Sequence, residues 1–135
     1  MTDQENGRAV ALLERIPLFS GCTSKEIERL AESASPVAFH AGDKICIAGD
    51  ASPECYVVAE GRADVTVGAI TVDEIGPVDV FGERGPINNR PRAATVTART
   101  QMLTFAISRE RLRDLMMTSP TAAAAMRDEL LRRYG

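Results

Sequence analysis

The hydrophobic pattern of this chain changes period twice, near residue 36 and again near residue 108, and that double change limits the folds open to it. Between those points lie short runs of β-branched residues, divided by turn signals at Gly42-Asp43, Gly49-Asp50, Gly61, Gly68 and Gly76-Pro77. Ile45 and Ile47 alternate with small or polar residues. Cys55 to Ala59 reads as a buried strand, and Ala63 to Val67 alternates cleanly. Ile70 to Ile75 predicts a half-buried strand. After a Gly/Pro/Asn-rich interruption at 82–91, strands return at Ala93 to Ala98 and at Met102 to Ile107. Eight or so short strands with regular turns suit a sandwich or barrel, in which closure or pairing seals most of the edges.

Both flanks are helical. Ala9, Leu12, Leu13 and Ile16 fall at helical spacing before Pro17, which cannot continue the backbone hydrogen bonding. Thr23 and Glu26 form a capping box for a second helix with Ile27, Leu30 and Ala31 as its stripe, and Pro36 marks its end. Ser108 opens another helical region, with Leu112, Leu115 and Met116 on one face. Pro120 suits a helix start, and Ala122 to Ala125, Met126, Leu130 and Leu131 form the last helix. A length of 135 residues fits one domain.

Composition excludes several classes of function. No apolar stretch approaches the ~20 residues that span a bilayer. Met1 to Gly7 is polar and acidic, unlike a secretory signal, so a cytoplasmic location is expected. Cys22, Cys46 and Cys55 are an odd, scattered set without a C-x-x-C pair, and His40 alone cannot complete a zinc site with them. They read as incidental reduced thiols. His40 has no nucleophile beside it in sequence, and the triphosphate-binding G-x-x-x-x-G-K-[ST] pattern is missing, so enzymatic chemistry finds no support. The net charge of −3 argues against direct nucleic-acid binding. Charge is nevertheless uneven: residues 1–83 carry 6 Lys/Arg against 15 Asp/Glu, and residues 84–135 carry 10 against 4. An anion would be drawn to the later segment, although a basic solvated helix face gives much the same excess.

The stretch from Phe81 to Val96 carries the chemistry. A helical turn beginning near Gly82 would point free N–H groups outward with a dipole that favours an anion. Gly82 and Gly85 allow close backbone approach to a ligand. Arg92 supplies a forked, charge-assisted donor for phosphate oxygens, and Glu83 an acceptor pair of the kind that holds ribose hydroxyls. An acid beside a phosphate site suits a nucleotide better than a bare phosphate. Without that context, Glu83 and Arg92 would read as an ion pair near a turn.

This segment resembles the phosphate-binding cassette of the cyclic-nucleotide-binding domain family, which includes the regulatory subunits of protein kinase A and the catabolite activator proteins. The family pattern F-G-E, seven residues, then P-R-A-A-T-V is met by Phe81-Gly82-Glu83 and Pro91-Arg92-Ala93-Ala94-Thr95-Val96. The lead-in from Ile75 to Val80 resembles L-G-P-x-D-x, and Gly42-Asp43, Ile45, Gly49-Asp50 and Glu60-Gly61 match further landmarks. The resemblance implies a mainly β fold with flanking helices: a double-stranded β-helix (a jelly-roll-like β-roll) with N-terminal and C-terminal helices. It implies one domain over 1–135, with a helical lead-in at 8–34, the β-roll at 36–108, the cassette at 81–96 and lid helices at 108–134.

The roles follow from the same resemblance. Glu83 would accept from the ribose 2′-hydroxyl and Arg92 would pair with the cyclic phosphate. Backbone N–H groups of Gly85 and Ala93 would add phosphate contacts, and Gly82 would shape the turn. A hydroxyl residue after the arginine favours guanine in this family; Ala93 stands there, which points to cyclic AMP and disfavours cyclic GMP. Tyr134, Leu130 and Leu131 are competing lids for the base. No other cofactor is implied. The expected partners are the cyclic nucleotide and an output domain or partner protein that the chain does not show, and a homodimer is left open. The phosphate would draw the short helix at 83–88 inward and the helices at 108–134 would repack over it. Couplings of this kind are typically about 1–3 kcal/mol.

The chain departs from the family at Arg84-Gly85-Pro86, where Leu or Ile, then Ala, then Leu are usual. That loss leaves Ile87 to anchor the short helix, and Pro86 biases Gly85 away from helical angles. The rival reading is therefore a degenerate family member that keeps the fold as a protein-interaction or structural module.

Overall fold

In the computed structural model, which describes residues 2–47, 54–82 and 94–134 (the side chains of residues 133 and 134 excepted), the chain enters a helix at once. Helix α1 runs Asp3–Leu13. The Thr2 hydroxyl accepts the Glu5 N–H at 3.1 Å, while the Glu5 carboxylate accepts the Thr2 N–H at 3.2 Å. This start precedes the residue 8 expected from sequence, because the cap acts before the apolar stripe begins at Ala9. A single 3-10 turn follows at Pro17–Phe19 and buries Leu18 and Phe19. Helix α2, Ser24–Ser33, has the expected box: Glu26 N–H donates to the Thr23 hydroxyl at 3.2 Å, and Thr23 N–H to the Glu26 carboxylate at 2.8 Å. Thr23→Ala is expected to lower unfolding stability by about 1 kcal/mol, read from a denaturant titration.

Eight strands follow among the described residues: β1 Ser35–Phe39, β2 Lys44–Cys46, β3 Glu54–Glu60, β4 Ala63–Val67, β5 Ile70–Ile75, β6 Val80–Phe81, β7 Thr95–Ala98 and β8 Met102–Ser108. They form two antiparallel four-stranded sheets, ordered β1-β8-β3-β6 and β2-β7-β4-β5. The fold is thus a mainly β roll flanked by helices at both ends. Pro36 lies inside β1 rather than ending α2. As β1 is an edge strand, the missing N–H is tolerated there.

Two cores flank the first sheet. Leu12, Leu13, Ile16, Leu18, Ile27 and Leu30 pack with Cys55, Val57, Val80, Phe105 and Ile107 on the helical side. Val58, Phe81 and Met102 instead join Cys46, Ala63, Ile75, Val96 and Ala98 between the sheets. The period-2 geometry of a strand accounts for the division, since neighbours on β3 and on β6 face opposite ways.

The C-terminal helices are α3, Arg109–Thr118, and α4, Pro120–Tyr134. Ser108 caps α3 through the Arg111 N–H at 3.2 Å, and the Ser119 hydroxyl accepts the Ala122 N–H at 3.3 Å. Helix α4 comes close to the turn after Phe19: a Cβ at Gly21 would stand 2.7 Å from both the Ala125 Cβ and the Thr121 carbonyl oxygen.

Glu26 ties the two helical ends together. The Thr23 backbone N–H first, and then the Ser119 hydroxyl, hold its carboxyl below the ordinary value. Burial, with Glu26 nearby, pushes the Cys22 thiol up to about 11. A carboxyl with a depressed folded pKa contributes stability above its unfolded value and loses it as pH falls through the folded one. Glu26→Gln is expected to melt below the parent at neutral pH and to converge on it in acid. Melting curves between about pH 7 and about pH 3 check this.

Candidate functional site

The two strands that bracket residues 83–93 belong to different sheets: β6 pairs with β3, and β7 with β4 and β2. The approach to this segment starts at a tight turn. Asp79 N–H donates to the Gly76 carbonyl at 3.1 Å, and the Asp79 carboxylate accepts the Gly76 N–H at 2.8 Å. Pro77 takes the first corner, and Val78 the second with φ of 77°. That is the type II arrangement, whose second corner normally takes glycine. Val78 is the only non-glycine residue with positive φ among the described residues. A β-branched side chain there costs about 1–3 kcal/mol, so surrounding contacts must hold it.

Those contacts are present. Val78 N–H donates to the Val58 carbonyl and Val58 N–H to the Asp79 carbonyl, each at 2.9 Å, so the turn is fastened to β3. The Val78 side chain packs against the helical core. A guanidinium nitrogen of Arg62 lies 2.6 Å from where a Cβ of Gly76 would be, covering the turn. Arg62 also pairs with Glu74 at 3.7 Å, while Arg99 pairs with Glu74 and with Asp64 at 3.7 Å.

Beyond the turn, register pairs Val57 with Val80 and Tyr56 with Phe81. The Tyr56 and Phe81 rings stack 5.2 Å apart, and Phe39 meets Tyr56 edge-on at 5.7 Å. Gly82 comes next with φ of 81°, a conformation that costs little only for glycine.

The expected site residues divide as follows. Gly82 sits at the end of β6 with its chain turned left-handed. Glu83, Gly85, Arg92 and Ala93 lie outside the described residues. Of the competing lids, Leu130 is half-buried against the helical core, Leu131 is 67% exposed, and Tyr134 closes α4 with its side chain outside the description. On the same helix Glu129 is 9% exposed and takes a hydrogen bond from Arg132 Nε at 3.1 Å. Sequence reasoning missed the Asp79 cap. Its signal was present, as proline at the second position of a four-residue turn with an acid at the fourth. Among the described residues no helix is long and apolar enough to cross a membrane.

Comparison with known proteins places this geometry. The sequence profile of the cyclic nucleotide-binding domain matches residues 36–119. The chain is 28% identical over 130 residues to the cAMP-dependent protein kinase type II regulatory subunit of Drosophila melanogaster, covering 96% of this chain and 34% of that protein. It therefore spans about a third of that relative.

Among solved structures, the regulatory subunit of a cAMP-independent protein kinase A from Trypanosoma cruzi, bound to guanosine, superposes with a TM-score of 0.82 at 25% identity, over 85% of this chain and 41% of that one. A triple mutant of the Trypanosoma brucei subunit with cAMP in its A site gives 0.86 at 25% identity, over 98% and 48%. The N-terminal domain of a transcriptional regulator from Streptomyces coelicolor gives 0.75 at 28% identity, over 90% and 91%. With the profile spanning well over half its length, the chain belongs to the cyclic nucleotide-binding domain family.

Proposed function

We propose that this domain is a regulatory sensor that binds cyclic AMP in preference to cyclic GMP, performs no chemistry itself, and relays a conformational change to an attached domain or partner in the cytoplasm. The observation that carries the reading is the conjunction of Phe81-Gly82-Glu83 with Pro91-Arg92-Ala93, seven residues apart, in a chain of this family. Arg92 balances the single phosphate charge, Glu83 grips the 2′-hydroxyl, and Gly82 and Gly85 let main-chain amides approach. Three cysteines that form no disulfide suit a reducing compartment.

The trypanosomal structures support cyclic AMP over a plain nucleoside. The variant with cAMP in its A site carries a glutamate-to-alanine change and, seven positions on, threonine-to-arginine and valine-to-alanine changes side by side. This chain natively has the small Gly85 and, seven positions on, the adjacent pair Arg92-Ala93. The spacing and residue types agree.

The second reading, a ligand-free interaction module, draws on Arg84-Gly85-Pro86, which replaces the apolar residues usual after the acid. Thermal unfolding with and without nucleotide separates the two. A ligand that binds only the folded state adds about 2.7 kcal/mol at one hundred times its dissociation constant. For a domain of this size that raises the melting point by about 10 °C. The sensor is expected to respond to cyclic AMP more than to cyclic GMP. A melting point unmoved by millimolar cyclic AMP would leave the module as the better account.

A further inference from the structure

We infer that Asp79 is a positioning residue for the nucleotide site: its carboxylate holds a strained turn shut and so fixes the direction in which the chain leaves β6 at Gly82. The inference rests on the cyclic-nucleotide reading above and names a residue outside the cassette that sets its affinity.

Val78 is held in a conformation that a branched side chain resists, with φ of 77°. Left alone, such a corner relaxes toward negative φ and the turn opens. The Asp79 carboxylate opposes this by accepting the Gly76 N–H at 2.8 Å, across the mouth of the turn. The main-chain bonds of Val78 and Asp79 to Val58 then place the turn on β3, and pairing of β6 begins at the next residue.

The margin for error is small, because β6 is only two residues long, Val80 and Phe81. Val80 faces the helical core and Phe81 the space between the sheets, so a slip of one residue would exchange them. Gly82, with φ of 81°, follows directly and Glu83 is next. A rotation allowed at Asp79 would therefore pass through the two residues of this short strand to Gly82, next to the residue proposed to hold the ribose. An ordinary turn cap would support stability alone. What sets this one apart is the strain it works against and its distance of three residues from the cassette glycine.

The test is calorimetric titration of cyclic AMP, well below every melting point, into the parent, Asp79→Ala, Asp79→Asn, Val78→Gly and the double variant Val78→Gly/Asp79→Ala. Asp79→Ala is expected to weaken binding about tenfold or more, a change of about 1.4 kcal/mol. Asp79→Asn, which keeps an oxygen acceptor for the Gly76 N–H, should stay within about threefold of the parent. In the double variant the strain is gone and the cap is dispensable, so its affinity should match that of Val78→Gly. If Asp79→Ala fails to fold, the comparison of Val78→Gly with the double variant still decides, because a double variant about tenfold weaker overturns the coupling of cap to strain. A parent that binds and an Asp79→Ala variant that binds equally well, whatever its melting point, overturn the positioning role alone. A parent that takes up no cyclic nucleotide overturns the ligand reading itself.

Discussion

Replacing Arg92 with alanine is expected to abolish the rise in melting point produced by cyclic AMP while leaving the ligand-free melting curve unchanged. Residue 92 falls in sequence between β6 and β7, and a charged residue placed to meet a ligand is expected to add little to the stability of the ligand-free domain. The effect on binding is large because a phosphate stripped of water needs a partner of opposite charge. Truncating one member of such a hydrogen-bonded pair costs about 2–5 kcal/mol, roughly thirtyfold to several-thousandfold in affinity. Lysine should recover part of the loss, as it restores the charge but not the forked geometry. An alanine variant stabilised as strongly as the parent would refute the placement of the phosphate.

The second large effect falls on stability. Gly21 lies against α4 so closely that a side chain has no room: its Cβ would meet the Ala125 Cβ and the Thr121 carbonyl oxygen at 2.7 Å and the Ala122 Cα at 3.2 Å. Two of these atoms are backbone, which cannot rotate aside as a flexible side chain would. Gly21→Val must therefore displace α4 from Leu18 and Phe19, with which Ala122 and Met126 share the helical core. Overpacking typically costs about 1–3 kcal/mol, and a backbone collision belongs at the upper end. At about 3 kcal/mol the melting point should fall by about 10 °C. A valine variant melting within a degree or two of the parent would show that α4 moves aside freely.

What could be read in advance followed from how locally each feature is encoded. The Thr23–Glu26 box is a four-residue signal, and the structure has it as expected. The same pattern stands at Thr2 and Glu5, but it precedes the apolar stripe, so periodicity alone placed the helix late. Alternation suggested that Ile45 and Ile47 share an inward face. Instead Cys46 is buried and Ile47 is 48% exposed, because the pairing of β2 with β7 shifts register between Lys44 and Cys46. Ile70 and Val72 likewise stand exposed on β5, an edge strand whose pairing with β4 is interrupted at Val65 and Thr66. Bulges of this kind depend on the partner strand, which a single run of residues does not reveal.

Residue identity spells out a candidate chemistry at Glu83, Gly85 and Arg92, which lie outside the described residues, and at Gly82, whose φ of 81° suits only glycine. A dihedral angle is not spelled out in that way. Nothing about Val78 in the sequence announces a left-handed corner, and Asp79 gains its meaning only from that corner.

Because β3 and β6 present neighbouring side chains to opposite sides, Val57 and Val80 to the helices and Val58 and Phe81 to the roll, the first sheet is a party wall between the two cores. Any shift of the helical bundle presses on residues whose immediate neighbours, Val58 and Phe81, pack between the sheets, and any tightening there presses back. The relay proposed above needs no dedicated wire when both sides lean on the same partition.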